Sequence, residues 1–372
     1  MIRRASQSPA LARSVLTCSL ALALVACATQ TPSPKSSAST PTPASPPAAP
    51  APVPSTQPLP IARAEFVRDT ALKYSIPPGT IEAALAKASI RDSIITAMSR
   101  PAEAKPWRDY RPIFITQSRI DGGRSFLASN RDALAKAEAK YGVPAEIITA
   151  ILGVETSYGG NTGKYAVIDA LNTLAFAYPR TNEPAKIPRE NLREAFFRDE
   201  LGQLFALGKD ERFDVTTLQG SYAGAMGWGQ FMPSSYRDYA VDGDGDGKRD
   251  LFKDLDDVFA SVANYFAKKG GWQRGAPVML RANRDASAAD FNAETVEPVH
   301  TVAELAARGY RPSGTVSPDT KATVIRLEGS NGPEYWMVFN NFQAITKYNT
   351  SRLYATAVFQ LAEAIAGRSP DA

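Results

Sequence analysis

The chain has 372 residues, and its 42 lysines and arginines nearly balance its 38 aspartates and glutamates, which leaves a formal net charge of +4. The basic residues are scattered rather than gathered into a stripe, which argues against nucleic acid as a partner. The one histidine, His300, leaves almost no material for a Ser-His-Asp triad or a histidine-rich zinc site.

The N-terminus predicts an exported lipoprotein. Arg3 and Arg4 precede an apolar run that is short for a membrane span and ends in Leu-Val-Ala-Cys. This ending resembles a bacterial lipobox, so we expect residues 1–26 to be a lipoprotein signal peptide and Cys27 to carry the lipid; a plain secretory signal is the alternative. By resemblance to Gram-negative lipoproteins, Ala28 rather than Asp at the next position favours the outer membrane, with the protein on its periplasmic face.

Residues 27–60 are expected to form a tether between the lipid and the folded part. They are almost only Pro, Ala, Ser and Thr, and such a composition cannot bury a core. Because Cys18 lies within the signal, the mature chain keeps one cysteine, which the lipid blocks, so no disulfide framework is possible.

Apolar periodicity predicts a mostly helical folded part that is interrupted by a short β region. The predicted helices cover residues 61–73, 78–88, 130–140, 166–175, 192–207, 254–269 and 350–366, and the predicted strands cover 278–281, 322–327 and 335–339. The aromatic and basic segment at 107–112 predicts a loop. In the helix at 192–207, Phe196, Phe197 and Phe205 are expected to face inward.

A further short helix is predicted within residues 142–160, and it carries the residue on which the rest of the interpretation depends. Pro144 suits its first turn, and Gly159 and Gly160 are expected to end it. Its buried stripe is formed by Ile147, Ile148, Ile151 and Leu152. Glu155 follows Ile151 by four positions, so it lies on that stripe rather than on the solvent side.

A carboxylate at Glu155 is costly unless it is protonated or paired. Desolvation and the negative end of the helix dipole should both raise its pKa, which is the environment of a general acid. The alternative is a buried structural glutamate that pairs with an arginine elsewhere in the fold.

Residues 242–250 predict a calcium loop. Carboxylates stand at loop positions 1, 3, 5 and 9 and glycine at 6, as at the start of an EF-hand. Position 12 is Lys253 instead of Glu, so either the site is weak or Asp254, Asp256 or Asp257 closes it; we favour Asp256. An acidic turn without metal is the alternative. The predicted ligand residues of a structural Ca²⁺ are Asp242, Asp244, Asp246, Lys248 and Asp256.

Acid–base catalysis by carboxylates is the class of chemistry that the composition does not exclude. No glycine-rich loop ends in the Lys-Ser/Thr of a phosphate-binding loop. Residues 220–236 place many small residues between aromatics, which suggests backbone packed against something flat, a sugar ring or another helix. Glycoside cleavage fits a buried glutamate, aromatic platforms and an envelope location.

Several motifs resemble the membrane-bound lytic murein transglycosylase B family over about residues 66–367. They are Ile-Leu-Gly-Val-Glu-Thr at 151–156, Tyr-Pro-Arg at 178–180, the glycine-rich segment at 220–236, Ser-Val-Ala-Asn-Tyr-Phe at 261–266 and Thr-Lys-Tyr-Asn at 346–349. The resemblance implies cleavage of the β-1,4 bond between N-acetylmuramic acid and N-acetylglucosamine in peptidoglycan, with a 1,6-anhydromuramic acid end.

The resemblance also implies the roles of individual residues. Glu155 would be the sole catalytic acid/base. The implied substrate-binding residues are Ser221 and Gln230 around the reacting sugar, and Tyr110, Tyr265, Asn341 and Tyr348 along the groove; core packing is the alternative for the tyrosines. Arg180 matches a family arginine suited to substrate carboxylates, whereas the second arginine that often follows it is Thr181 here.

The expected fold is mainly α (α+β), and the resemblance implies a lysozyme-like helical core with an additional helical subdomain and a small antiparallel β subdomain. We assign 61–120 to the helical subdomain, 121–276 to the lysozyme-like catalytic core with its EF-hand-like loop, 277–340 to the β subdomain and 341–372 to a C-terminal helical segment that returns to the core.

Two other functions stay open at this point. One is a muramidase-type hydrolase, similar to goose-type lysozyme, in which a second carboxylate activates water. The other is a non-catalytic envelope lipoprotein that binds glycan or calcium. The expected partners are peptidoglycan glycan strands, the membrane through the lipid anchor, and other cell-wall enzymes; we expect a monomer without an organic cofactor.

Overall fold

The computed structural model describes residues 58–99 and 105–370. The predicted signal peptide, the lipidated Cys27 and most of the tether lie outside these residues. Within them, no helix combines the length and the apolar character that a membrane crossing requires.

Helices make up most of the described chain. They are α1 (Leu59–Tyr74), α2 (Pro78–Lys87), α3 (Asp92–Ser99), α4 (Trp107–Phe114), α5 (Gln117–Ser129), α6 (Arg131–Tyr141), α7 (Ala145–Thr156), α8 (Val167–Phe176), α9 (Ile187–Glu211), α10 (Pro233–Tyr239), α11 (Leu255–Tyr265), α12 (Val302–Ala307), α13 (Asn340–Tyr348) and α14 (Arg352–Ile365). A 3₁₀ turn at Pro184–Lys186 leads into α9, and a π turn at Phe266–Gly270 follows α11.

The strands of the described residues form two antiparallel sheets. They are β1 (Tyr165–Ala166), β2 (Gln219–Gly220), β3 (Met279–Arg284), β4 (His300–Thr301), β5 (Tyr310–Pro312), β6 (Lys321–Gly329) and β7 (Gly332–Val338). β1 pairs with β2 alone, and the other five strands lie in the order β4-β6-β7-β3-β5. The predicted mainly helical fold with a small antiparallel sheet is confirmed.

Helix α7 is the centre of the helical core. It packs against α5, α6, α11 and α14, and its residues Ile148, Ile151 and Leu152 are fully buried. A separate apolar cluster, which includes Leu305 and Met337, packs on the five-stranded sheet. The helix that carries Glu155 is therefore surrounded by other helices, as its apolar sequence predicts.

Two local predictions are wrong. Residues 107–112 belong to α4 rather than to a loop, although Pro112 lies inside the helix. Trp107 and Phe114 stand seven positions apart, on one face of α4, and both are buried, so packing outweighs the helix-breaking tendency of proline. Phe196 is 47% exposed, because successive helical residues differ by about 100° in direction and its neighbour Phe197 takes the inward position.

Candidate active site

Glu155 lies in the last turn of α7, and the helix ends immediately after it. Ser157 and Tyr158 both adopt the left-handed conformation, with φ of 51° and 59°, so the helix stops before the two glycines that were predicted to end it. The Tyr158 hydroxyl donates to the Arg119 carbonyl oxygen over 2.8 Å. A Cβ on Gly153 would lie 2.6 Å from that hydroxyl, so the tyrosine ring fits only because a glycine faces it.

Glu155 is a half-buried residue, and among the described residues Tyr354 donates a hydrogen bond to its carboxyl group. The Tyr354 hydroxyl, from α14, donates to Glu155 Oε1 over 2.5 Å. Burial raises the pKa of Glu155 to about 7, and the hydrogen bond from Tyr354 opposes that rise. No arginine or lysine of the described residues forms an ion pair with Glu155, so the structure does not have the structural ion pair that sequence reasoning left open.

Tyr354 fixes which oxygen of Glu155 can carry the proton. It is buried, and desolvation together with the nearby Glu155 charge keeps its pKa well above the ordinary value, so it remains a donor. When this hydroxyl donates to Oε1, the proton of neutral Glu155 lies on Oε2. Sequence reasoning missed Tyr354: the helix at 350–366 was predicted, but nothing showed which of its faces meets α7.

Three of the predicted tyrosines surround this pair. The Tyr348 hydroxyl donates to the Gly229 carbonyl oxygen over 2.5 Å, and the Tyr265 hydroxyl donates to the Lys347 carbonyl oxygen over 2.7 Å. Burial raises the pKa of Tyr348 and the charge of Glu155 adds to the rise, so the Tyr348 ring lies near the acid. Tyr110 belongs to α4, which packs on the helix that carries Tyr354. Tyr110 and Tyr348 are partly exposed, whereas Tyr265 is buried behind Tyr348 with ring centroids 4.9 Å apart.

The glycine-rich segment lies beside the end of α7. Ser221 Oγ accepts hydrogen bonds from the backbone N–H groups of Ala223 and Ala225, which holds a tight turn. Gln230 has a φ of 52°, and its Nε2 donates to the carbonyl oxygens of Thr162 and Gly227. Both side chains are partly exposed, and the segment that contains them contacts Tyr348 through Gly229.

Asn341 and Arg180 are engaged by the protein itself. Asn341 is 0% exposed, its Nδ2 donates to the carbonyl oxygens of Gln273 and Ala276, and its Oδ1 accepts from the Gln273 N–H. It has no exposed atom to offer to a sugar, which contradicts its predicted place in the groove. The Arg180 guanidinium pairs with Glu194 and donates to Asn191, so α9 already matches its charge.

The acidic loop brings together three carboxylates, those of Asp242, Asp244 and Asp257, with ligand atoms within 4.8 Å of one another. Asp257 is 1% exposed, and burial raises its pKa, with the charges of Asp254 and Asp242 adding to the rise. No cationic side chain among the described residues pairs with these three. A cation would stabilise a buried carboxylate beside like charges, and carboxylate oxygens are the ligands that a hard metal ion such as Ca²⁺ takes, so these residues fit such an ion.

The group of three carboxylates therefore includes Asp257 and not Asp256, the residue favoured from the sequence. Asp254 caps the N-terminus of α11, and residues 256 and 257 lie in the first turn of that helix. Because successive helical residues differ by about 100° in direction, their side chains point to different sides. Asp256 turns away and lies 3.8 Å from the Lys136 ammonium. Asp246 also stays outside the group, since its carboxylate accepts from the Lys248 N–H and lies 3.6 Å from the Lys248 ammonium.

Comparison with known proteins gives consistent matches. The protein family described as the transglycosylase SLT domain matches residues 61–363. Membrane-bound lytic murein transglycosylase B of Escherichia coli is 38% identical over 312 residues, which cover 81% of this chain and 82% of the relative. The crystal structure of soluble lytic transglycosylase SltB1 from Pseudomonas aeruginosa is 45% identical with a TM-score of 0.74, over 82% of this chain and 98% of that one. The structure of Escherichia coli lytic transglycosylase Slt35 in complex with calcium is 38% identical with a TM-score of 0.71, over 82% and 92%.

Proposed function

The chain belongs to the membrane-bound lytic murein transglycosylase B family and is a peptidoglycan lytic transglycosylase, and we propose that Glu155 is the single acid/base of its reaction. The enzyme cleaves the β-1,4 bond between N-acetylmuramic acid and N-acetylglucosamine and leaves a 1,6-anhydromuramic acid end. The observation that carries the proposal is the Glu155 carboxyl group at the end of α7, whose pKa burial raises to about 7, so that both protonation states are accessible near neutral pH.

The first step is proton donation. Glu155 starts neutral, with its proton on Oε2 because Oε1 accepts from Tyr354. It donates this proton to the glycosidic oxygen as the bond from C1 of the muramic sugar breaks. The oxocarbenium-like centre is stabilised by the 2-acetamido oxygen of the same sugar, in place of a carboxylate nucleophile.

The second step reverses the role of the same group. Ionised Glu155 removes the proton from the C6 hydroxyl of the muramic sugar, and that oxygen bonds to C1. Attack by a group on the same sugar has a very high effective molarity, so it competes successfully with water. Atoms balance without water, and Glu155 is again neutral at the end. Tyr354 stabilises the ionised form between the two steps.

The substrate-binding set follows from exposure. We propose that Tyr110 and Tyr348 contact sugar, since both are partly exposed, Tyr348 lies near Glu155 and the helix of Tyr110 packs on α14. We also propose that Ser221 and Gln230 border the reacting sugar. Tyr265 supports Tyr348 from behind. Asn341 is omitted because it is fully buried. Arg180 remains a proposed contact for substrate carboxylates, and its ion pair with Glu194 would weaken that contact.

We propose that the loop binds a structural Ca²⁺. Asp242, Asp244 and Asp257 would hold the ion, and its charge would offset their mutual repulsion. Asp257 belongs to α11, so the ion would tie the loop to the helical core. The calcium complex of Slt35 is consistent with this proposal.

We propose that the protein is anchored in the outer membrane through acylated Cys27 and faces the periplasm, where its glycan substrate lies. The name of the Escherichia coli relative describes a membrane-bound enzyme. Substitution Cys27→Ser should release the protein from the membrane fraction of the cell. A Cys27→Ser protein that stays in that fraction would contradict the lipid anchor.

The proposal is tested by digesting purified sacculi with the wild type and with Glu155→Gln. Mass spectrometry should find 1,6-anhydromuramic ends with the wild type and no soluble fragments with Glu155→Gln. Glutamine matches the shape of glutamate but neither gives nor takes the proton, so the fold should be retained and can be checked by melting temperature. Reducing muramic ends would indicate a hydrolase, and full activity of Glu155→Gln would remove Glu155 from the mechanism.

A further inference from the structure

The end of the catalytic helix is bonded to the glycine-rich segment through Thr156. This residue directly follows Glu155 and is fully buried. Its Oγ1 lies 3.0 Å from the Trp228 carbonyl oxygen, to which it donates, and accepts from the Gly159 N–H over 3.1 Å. The same hydroxyl also reaches the Leu152 carbonyl oxygen over 3.1 Å. Thr156 therefore fixes the last turn of α7 to Trp228.

The Trp228 ring covers the segment that leaves α7. A Cβ on Gly159 would lie 2.4 Å from the ring, so the indole rests directly on the backbone there. The Phe126 ring packs near it, with centroids 5.9 Å apart. Gly159 has a φ of 82°, so both conformation and space require glycine. The indole thus holds in place the chain that ends the helix.

The two N–H groups of Trp228 are hydrogen-bonded to residues 251 and 252, which directly follow the acidic loop at 242–250. Its backbone N–H donates to the Leu251 carbonyl oxygen over 3.0 Å, and its Nε1–H donates to the Phe252 carbonyl oxygen over 3.0 Å. The preceding residue, Asp250, donates its N–H to Asp257 Oδ2 over 2.6 Å. Asp257 is a member of the group of three carboxylates. An ion bound to it would therefore affect residues 250–252, the backbone to which Trp228 is hydrogen-bonded.

We propose that Trp228 is a positioning residue for Glu155 and that it transmits the state of the metal loop to the catalytic helix. The path runs from Asp257 through residues 250–252 to Trp228, and from Trp228 through Thr156 to Glu155. This inference rests on the proposed role of Glu155 and on the proposed metal loop. It assigns to the calcium loop an effect on catalysis in addition to stability.

The test compares Trp228→Phe with a matched control, Trp272→Phe. Each change removes an indole N–H that donates to a backbone carbonyl oxygen over 3.0 Å, that of Phe252 for Trp228 and that of Gly142 for Trp272. With sacculi as substrate, Trp228→Phe should lower kcat about tenfold with KM nearly unchanged, the loss expected for a misplaced catalytic group. Trp272→Phe should stay near the wild type.

Calcium dependence provides the second readout. Chelation should lower the kcat of the wild type and of Trp272→Phe, and should add little to the defect of Trp228→Phe. Titration of the chelated protein with CaCl₂ should change tryptophan fluorescence in the wild type and in Trp272→Phe, and this change should be absent from Trp228→Phe. An equal fluorescence change in Trp228→Phe, or an equal effect of chelation on its kcat, would overturn the coupling.

Thr156 gives an independent variant in case Trp228→Phe folds poorly. Thr156→Val keeps the side-chain shape but loses the hydroxyl, so kcat should fall, whereas Thr156→Ser keeps the hydroxyl and should restore it. Wild-type kcat in Thr156→Val would overturn the positioning role. These outcomes differ from a failure of the proposed function, in which Glu155→Gln would itself remain active.

Discussion

Substitution of Tyr354 by Phe removes the hydrogen bond that the Glu155 carboxyl group accepts from α14, while the ring stays in place. A hydrogen bond to a charged group is worth about 1.5–3 kcal/mol and one to a neutral group about 0.5–1.5 kcal/mol. The difference, ~1–1.5 kcal/mol, corresponds to about one pKa unit. Because the bond favours the ionised carboxylate, its loss should raise the pKa of Glu155 above its present value of about 7.

The assay is the pH dependence of kcat/KM, measured from the initial release of soluble muropeptides from sacculi. The basic limb reports the ionisation of the general acid in the free enzyme, so it should move to higher pH by about one unit in Tyr354→Phe. The plateau should fall about tenfold, because Glu155 is no longer oriented by Tyr354. The matched control is Thr356→Val, a buried residue on the same helix whose hydroxyl donates to the Arg352 carbonyl oxygen.

Thr356→Val should leave the basic limb in place even if it lowers stability. If Tyr354→Phe keeps the wild-type limb or shifts it to lower pH, Tyr354 does not stabilise the ionised form of Glu155. The assignment of the acid proton to Oε2 would then lose its support.

Three further predictions concern stability. Calcium at about 100 times its Kd should add ~2.7 kcal/mol to the free energy of unfolding. Asp257→Asn should abolish this gain, whereas Asp256→Asn should keep it. A gain that is lost in Asp256→Asn and kept in Asp257→Asn would contradict the proposed role of Asp257 in closing the site. Burial raises the pKa of Glu200 from 4.5 to about 7. The stability that this group contributes is fully present below about pH 4.5 and is lost, by ~3 kcal/mol of unfolding free energy, as the pH rises through about 7. Glu200→Gln should flatten this decline in urea unfolding measured against pH, and an unchanged pH dependence would refute the prediction. Arg180→Ala leaves buried Glu194 without that partner and should cost ~1–3 kcal/mol of unfolding free energy, whereas a large rise in KM at unchanged stability would show that Arg180 serves mainly the substrate.

The sequence was most informative where one helix carried both the apolar stripe and the acid. The spacing between Ile151 and Glu155 predicts a carboxyl group turned toward the core near a helix end, and the structure has it there with a raised pKa. Burial follows from local periodicity, so it could be predicted without knowing any tertiary contact. The mainly helical fold and the late β region were predictable for the same reason.

Contacts between distant segments could not be predicted in this way. Tyr354 lies 199 positions from Glu155, and only the packing of α14 on α7 brings them together. The choice between Asp256 and Asp257 depends on which face of α11 each residue occupies. The aspartates in the sequence do not show where the helix begins, so they do not define that face. Asn341 shows the same limit, because a polar residue in a family-like motif gave no sign that its amide is consumed by backbone groups of the 273–276 segment.

The most direct test of the single-glutamate mechanism is digestion of sacculi in water enriched in ¹⁸O. If the C6 hydroxyl of the muramic sugar attacks C1, the new muramic ends should form as 1,6-anhydro species without any ¹⁸O. Ends that carry ¹⁸O at C1 from the earliest time points would show that water is the nucleophile and would contradict the proposed roles of Glu155.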